Sequence, residues 1–313
     1  MALKTALCEI LNIKYPIIQG GMAWTSTAEL AAAVSEGGGI GIIGAGGMPP
    51  DVLQKEIDKA KTLTKKPFGV NLMLMNPQID EQLEVLKGEQ VSLVTTGAGN
   101  PGKYLAEFKD RETKVIPVVP SVAMAIRAER QGAVAVIAEG TEAGGHIGEL
   151  TTMCLVPQIS QAVDIPVIAA GGIGNGRAIA ATLALGAKGV QIGTRFIVST
   201  ECTVHQKVKD TLIKARDRDT IVTGRSTGHP VRVIRNKLTK ELEQLDSENK
   251  AEELEKRSTG TLRKAMQEGD VQWGSLMAGQ VAGIVNEIKP AADILKELVA
   301  EAEETIKEIQ GYV

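Results

Sequence analysis

KVIPVVPSVAMAIRAERQGAVAVIAEG, residues 114–140, decides the fold. It opens on a Val-rich apolar run (114–121), continues into a helical segment that closes on Gly132 as a helix C-cap would, and returns to a second apolar run (134–140). Near-continuous hydrophobic strands mark a parallel sheet buried on both faces, and parallel neighbours need a crossover, usually a helix. Outward from this stretch the same unit recurs: PIIQGGM (16–22), IGIIGAG (40–46), FGVNLML (68–74) and SLVTTGAG (92–99) before it, PVIAAGG (166–172) and GVQIGTRF (189–196) after it. Helical segments such as STAELAAAVSEG, PDVLQKEIDKAKTL, DEQLEVLKG and GRAIAATLALG separate them. Eight runs at a spacing of one strand plus one helix predict an α/β chain closed into a (β/α)8 TIM barrel.

A doubly wound open sheet is the competing architecture, and two glycine patterns bear on it. Gly39-Ile-Gly41-Ile-Ile-Gly44 has dinucleotide spacing but is itself the strand, whereas that fingerprint must follow a strand and open a helix. Gly97-Ala-Gly99-Asn-Pro-Gly102 sits between strand and helix, yet the next strand ends Val119-Pro120-Ser121 with no acid for a ribose. Neither pattern supports a Rossmann fold.

Past the eighth run the alternation stops. Seventeen of the thirty-six residues in 235–270 are charged, so this stretch is solvated on most sides and reads as a charged helical insertion after strand 8, either an exposed excursion or a lid or docking arm beside the mouth. Apolar, Gly-spaced sequence returns at Trp273–Gly283, and AADILKELVAEAEETIKEI is amphipathic and suited to covering the barrel wall. The expected organisation is a barrel over 1–234, the insertion over 235–270, and a closing segment over 271–313.

Composition removes several function classes. The 313 residues hold 34 Gly but only eight aromatics (three Phe, three Tyr, two Trp), and 35 basic against 38 acidic side chains leave a net charge of -3. Polyanion binding needs clustered Lys and Arg, often with aromatic stacking platforms, so nucleic acid is not expected. No segment runs ~18 uncharged apolar residues, and MALKTALCEILNIKYP has neither a long apolar core nor a small-residue cleavage pattern. A cytoplasmic protein without a membrane partner is expected. Cys8, Cys154 and Cys202 lie far apart with no C-x-x-C, which argues against a zinc site or a disulfide framework and reads as buried thiols.

In a barrel of this kind the site lies at the strand C-termini. The residues there are Gln19–Met22, Asn71, Thr95–Gly97, Ser121, Glu139-Gly140, Gly171-Gly172 and Gly193–Arg195: polar, with no metal cluster and no paired carboxylates. Phosphate commonly binds after the seventh and eighth strands, where backbone N–H groups of Gly171, Gly172 and Gly193 with the Thr194 hydroxyl can form an anion nest. After the sixth run comes Glu139-Gly-Thr-Glu142-Ala-Gly144-Gly145-His146-Ile-Gly148, which carries one of three histidines in a glycine loop at the catalytic face. His146 is the candidate proton donor. His205 and His229 read as structural, although His229 sits in a Gly-His-Pro turn within reach of a substrate. No nucleophile with an adjacent base is visible, so the chemistry belongs to a bound cofactor that the chain holds and orients.

YPIIQGGMAW, KPFGVNLMLMNP, LVTTGAGNP, VIPVVPSVA, VIAEGTEAGGHIGELTTM, IPVIAAGGI, VQIGTRF and GSLMAGQVAG resemble, in order, the flavin-dependent enoyl-acyl-carrier-protein reductase II of bacterial fatty-acid synthesis. The resemblance spans nearly the whole chain and weakens in 235–270. Wider relatives are the nitronate monooxygenases, FMN-dependent (β/α)8 barrels once called 2-nitropropane dioxygenases.

The resemblance implies FMN across the mouth, with its phosphate on Gly171, Gly172, Gly193 and Thr194. Gly20, Gly21, Met22 and Asn71 would contact the ring; Ser121, Glu139, Gly144, Gly145, Ala170 and Gln191 would line the site, and Met277 and Gln280 would close over it. It further implies NADH or NADPH as electron donor, a monovalent-cation requirement, a homodimer, and an enoyl thioester delivered by acyl carrier protein. His146 takes the catalytic position and would polarise the thioester carbonyl or supply a proton. Residues 214–237 carry a local excess of basic side chains, including Arg225, Arg232 and Arg235, which makes them a candidate carrier-docking surface or a solvated face with internal ion pairs. Two alternatives remain: a nitronate monooxygenase using the same flavin, and a barrel that binds a phosphorylated ligand without turnover. Barrels like inosine-monophosphate dehydrogenase need a mouth-loop Cys, which Cys154 does not provide.

Overall fold

The computed structural model describes residues 3–312. Its strands are β1 (Ile17–Gln19), β2 (Gly41–Gly44), β3 (Phe68–Met73), β4 (Leu93–Gly97), β5 (Lys114–Val119), β6 (Val136–Glu139), β7 (Gly145–His146), β8 (Val167–Ala170), β9 (Gly189–Ile192), β10 (Thr220–Thr223) and β11 (Val231–Ile234). Eight of them form one parallel sheet in the order β1-β9-β8-β6-β5-β4-β3-β2, and a bridge between Ile18 and Ile40 joins its two ends. The sheet is thus a (β/α)8 barrel. Each of the eight apolar runs contains one barrel strand.

Strand periodicity explains why the runs are apolar throughout: successive side chains point to opposite faces, and both faces are buried. Ile18, Ile42, Leu93, Ile116, Ile137 and Ile168 fill the barrel interior, while their neighbours Ile17, Ile43, Val94, Val115, Val136 and Val167 join the cluster under the helices. From the N-terminal segment, helix α1 (Ala6–Leu11) inserts Leu7 and Leu11 into the interior cluster and plugs the base of the barrel.

The outer layer is built from α2 (Ala28–Gly37), α3 (Pro50–Leu63), α4 (Ile79–Gly88), α5 (Gly102–Glu107), α6 (Val122–Arg130), α7 (Thr152–Ala162) and α8 (Gly176–Ala184). After β9 come the single turn α9 (Thr194–Ile197) and α10 (Gln206–Leu212), and then α11 (Lys237–Ser247), α12 (Ala251–Ser258) and α13 (Thr261–Glu268) span the charged stretch. Leu238, Leu242 and Leu254 form a small core there with Leu245 and Trp273 packed against it. The last helix, α14 (Ala291–Gln310), packs on α2 and α8 and covers the wall as its amphipathic pattern requires.

Two sequence expectations need correcting. Cys154 is exposed on α7 while Cys8 and Cys202 are buried, because Met153 and Cys154 in the first turn of that helix face solvent while Thr152, Leu155 and Val156 face the sheet. Residues 220–234, read as part of the barrel, form instead a separate antiparallel sheet in the order β10-β11-β7. The strand pairing Val231 with His146 and Arg232 with Gly145 clasps the glycine loop after β6.

Candidate active site

At the C-terminal end of the barrel lies a cavity of about 980 Å³, at the upper end of the ~300–1,000 Å³ typical of ligand pockets. The strand-end residues Gly20, Gly21, Met22, Asn71, Glu139 and Ala170 all reach it. So do Gly171 and Gly172 after β8, Gln191, Gly193 and Thr194 around the end of β9, Gly144, Gly145 and His146 from the glycine loop, and Met277. The structure therefore brings together all the expected site residues except two. Ser121 caps α6, its Oγ accepting from the Met124 N–H at 3.4 Å, and Gln280 is exposed at the start of a 3-10 turn (Gln280–Ile284). Arg195, grouped with the mouth in sequence, points away: it is buried and donates to the Glu287 carbonyl at 3.2 Å.

The phosphate-side donors are available. Among the described residues, the N–H groups of Gly171, Gly172 and Gly193 have no protein acceptor. Thr194 Oγ1 accepts from the Gly279 N–H at 2.9 Å, which leaves its own proton free to donate and ties the late Gly-spaced segment to β9. Gly171 and Gly172 adopt φ of +86° and +73°, a conformation that side chains other than Gly rarely take, and this turn aims successive N–H groups into the mouth. No Lys or Arg lines the cavity. The set fits a phosphate monoester held by backbone donors, with a flat apolar body laid toward Met22 and Asn71. Asn71 is oriented for this by donating Nδ2 to Thr95 Oγ1 at 3.0 Å.

The acid–base groups sit on the opposite flank of that body. His146 is fixed by β7, and the Ile147 N–H donates to the Pro230 carbonyl at 3.1 Å, which draws the His229 turn onto the same wall. Desolvation by the cavity walls, and then the neighbouring His229, hold the His146 imidazole below its usual value, so it is uncharged at neutral pH. Burial, with no side-chain hydrogen bond among the described residues to offset it, pushes the Glu139 carboxyl up to about 7. Glu142 is spent on structure: its carboxylate accepts from the Thr152 N–H and hydroxyl and caps α7.

Further residues line the cavity that were not among the expected site residues: Trp24, Met73, Met75, Met124 and Leu262, and the α12–α13 turn at Thr259-Gly260. The α12–α13 turn thus reaches the mouth, where the Arg263 guanidinium lies 5.0 Å from the Trp24 ring centroid. The methionine pair in LMLMNP and the alternation in TIVT and VRVI were the available signals for Met73, Met75 and the β10-β11 sheet. His205, read as structural, caps α10 by accepting from the Lys207 N–H. Of the candidate docking residues, Arg232 is buried, with Nε donating to the Thr141 carbonyl and Nη1 to Thr220 Oγ1. It braces the glycine loop and offers no surface, because β11 turns its side chain inward at the point of pairing with Gly145. Arg225 and Arg235 are exposed and pair with Glu149 and Glu243.

The nitronate monooxygenase family model matches residues 4–88 and 75–301. The chain belongs to the nitronate monooxygenase family. It is 35% identical to a probable nitronate monooxygenase of Staphylococcus saprophyticus, over 97% of this chain and 99% of that one. Among solved structures, FabK from Thermotoga maritima is 50% identical over 99% of both chains with a TM-score of 0.97. The nitroalkane oxidase of Streptomyces ansochromogenes is 30% identical over 97% of this chain and all of that one, with a TM-score of 0.85. Nitronate monooxygenase family members are oxidoreductases and depend on flavin in general.

Proposed function

We propose that this protein is an FMN-dependent enoyl-acyl-carrier-protein reductase with NADH or NADPH as electron donor. One observation carries the choice within the family: identity to FabK, the enoyl-acyl-carrier-protein reductase II, is 50%, against 35% and 30% for the nitronate monooxygenase and the nitroalkane oxidase. The chemistry FMN supplies is two-electron hydride transfer, taken from the nicotinamide and given to the β-carbon of an enoyl thioester.

The chain's own residues do the rest. Gly171, Gly172 and Gly193 would hold the phosphate with their free N–H groups, and Thr194 with its hydroxyl. Gly20, Gly21, Met22, Asn71, Ala170, Gln191, Gly144, Gly145 and Met277, which line the cavity, would hold the ring. Ser121 and Gln280 act one step removed, through the α6 cap and the 3-10 turn. Glu139, its carboxyl pushed up to about 7, would hold a proton at the end of β6 on the acid side of neutrality and share it with the site near pH 7. His146 donates a ring N–H to the thioester carbonyl. An uncharged imidazole suits that polarising role better than the role of imidazolium acid.

The second reading, nitronate oxidation by oxygen, is favoured by the family model and the names of the Staphylococcus relatives. Steady-state assays separate the two. The reductase consumes NAD(P)H in proportion to crotonyl thioester added; oxygen uptake driven by propionate-3-nitronate without nicotinamide would instead establish the oxidase and remove the first proposal.

A further inference from the structure

Five of the nine methionines, Met22, Met73, Met75, Met124 and Met277, stand on the wall of the large cavity. Met22 and Met277 lie beside Gly193 and Gly145, on the cofactor side. The other three lie elsewhere. Met73 and Met75 come from the end of β3, and Met124 from the first turn of α6; between them β4 ends at Gly97, and the end of β5 brings Val118 and Pro120. In the closed order of strands, β3 and β4 lie half-way round from β8 and β9. This sector therefore faces the Gly171, Gly172 and Gly193 donors across the mouth. It contributes no charged side chain to the cavity, whose carboxylates Glu139 and Glu142 come from β6 and the loop after it.

We propose that the β3–β5 sector is an arm for the alkyl chain of an enoyl thioester, with Gly97 setting how far the chain can run. This rests on the reductase reading above. Methionine side chains are unbranched, polarizable and easily refitted, so a wall of them accommodates apolar chains of differing length better than a branched aliphatic wall does. Gly97 is the position that neither packing nor backbone explains. Its φ lies outside the left-handed region, and a Cβ built on it meets no atom within 4 Å. It pairs in register with Met73, which shares its strand face with Asn71, so a side chain there would stand in cavity space.

Calorimetric titration of the flavin-loaded protein with butyryl, octanoyl and dodecanoyl coenzyme A tests the arm without requiring turnover. Full burial of a methylene is worth roughly fourfold in affinity, so octanoyl should bind roughly tenfold or more tighter than butyryl even if burial is partial. Gly97→Leu should reduce that ratio to about threefold or less, with butyryl least affected. A flat wild-type profile, which needs no variant, overturns the arm. A Gly97→Leu protein whose three affinities fall by one common factor also overturns it. Crotonyl thioester reduction by NAD(P)H is measured on the same samples: its absence defeats the reductase reading, whereas its presence with a flat profile defeats the arm alone.

Discussion

Glu139 and His146 face one cavity, with the carboxyl pushed up and the imidazole pulled down from their ordinary values. Both displacements favour the neutral form, because the cavity walls keep water from Glu139 and from the half of the ring that His146, exposed at the rim, turns inward. For Glu139, raised from 4.5 to about 7, the folded protein holds the proton more tightly than the unfolded chain does. Stability from this group is therefore complete below pH 4.5 and lost as the pH rises through 7. In the flavin-free protein, Glu139→Gln should gain about 2–3 kcal/mol over wild type at pH 8 and nothing at pH 4. Urea titrations at the two pH values check this, and parallel shifts at both would refute it. For His146, lowered from 6.5, the contribution is complete above that value and lost on acidification through the folded one. His146→Ala should keep the flavin absorbance, because the phosphate donors lie on other strands, while enoyl turnover falls by about 10²–10⁴-fold. Full activity in that variant would remove the catalytic role.

At the scale of elements, the barrel strands were legible because a strand buried on both faces leaves an unbroken apolar run, and eight such runs admit few arrangements. Interior and exterior could not be assigned from such runs, since period-2 polarity is absent; Ile137 and Val136 look alike in sequence and face opposite layers. Ile137→Ala should cost about 2–5 kcal/mol by opening a cavity inside a closed barrel with little room to relax. A loss below about 1 kcal/mol in chemical denaturation would show that the interior collapses around it. The β10-β11-β7 sheet escaped detection because β7 is two residues long and glycine-rich and acquires strand geometry only by pairing with β11. Some glycines also changed meaning. Gly21 and Gly144 are expected at the ring and on the site wall, but a Cβ there would strike Asn71 Cβ and the Ala278 backbone. They allow loops to pack so that the mouth can form, which is a demand of the chain itself.

For the whole molecule, the lining of the cavity is legible in the sequence where it follows strand ends and poorly legible where it depends on distant segments. The free N–H groups of Gly171, Gly172 and Gly193, proposed above to hold a phosphate, come from two glycine-containing turns at the seventh and eighth barrel strands. The α12–α13 turn at the mouth and the inward turn of Arg232 depend on tertiary packing, which no local pattern records. Surface charge can be tested at this scale. If acyl carrier protein docks on the exposed basic residues, Arg225→Glu with Arg235→Glu should raise the KM for carrier-bound substrate several-fold and leave the coenzyme A thioester unaffected. Equal effects on both substrates would place the patch outside carrier binding. The central claim, a flavin reductase of enoyl thioesters, is tested most directly by rapid anaerobic mixing of the NAD(P)H-reduced protein with crotonyl thioester while the flavin spectrum is followed. The expected result is prompt return of the oxidised flavin bands with stoichiometric loss of the enoyl group. Bands that stay bleached with crotonyl thioester and return only on admitting oxygen would contradict it.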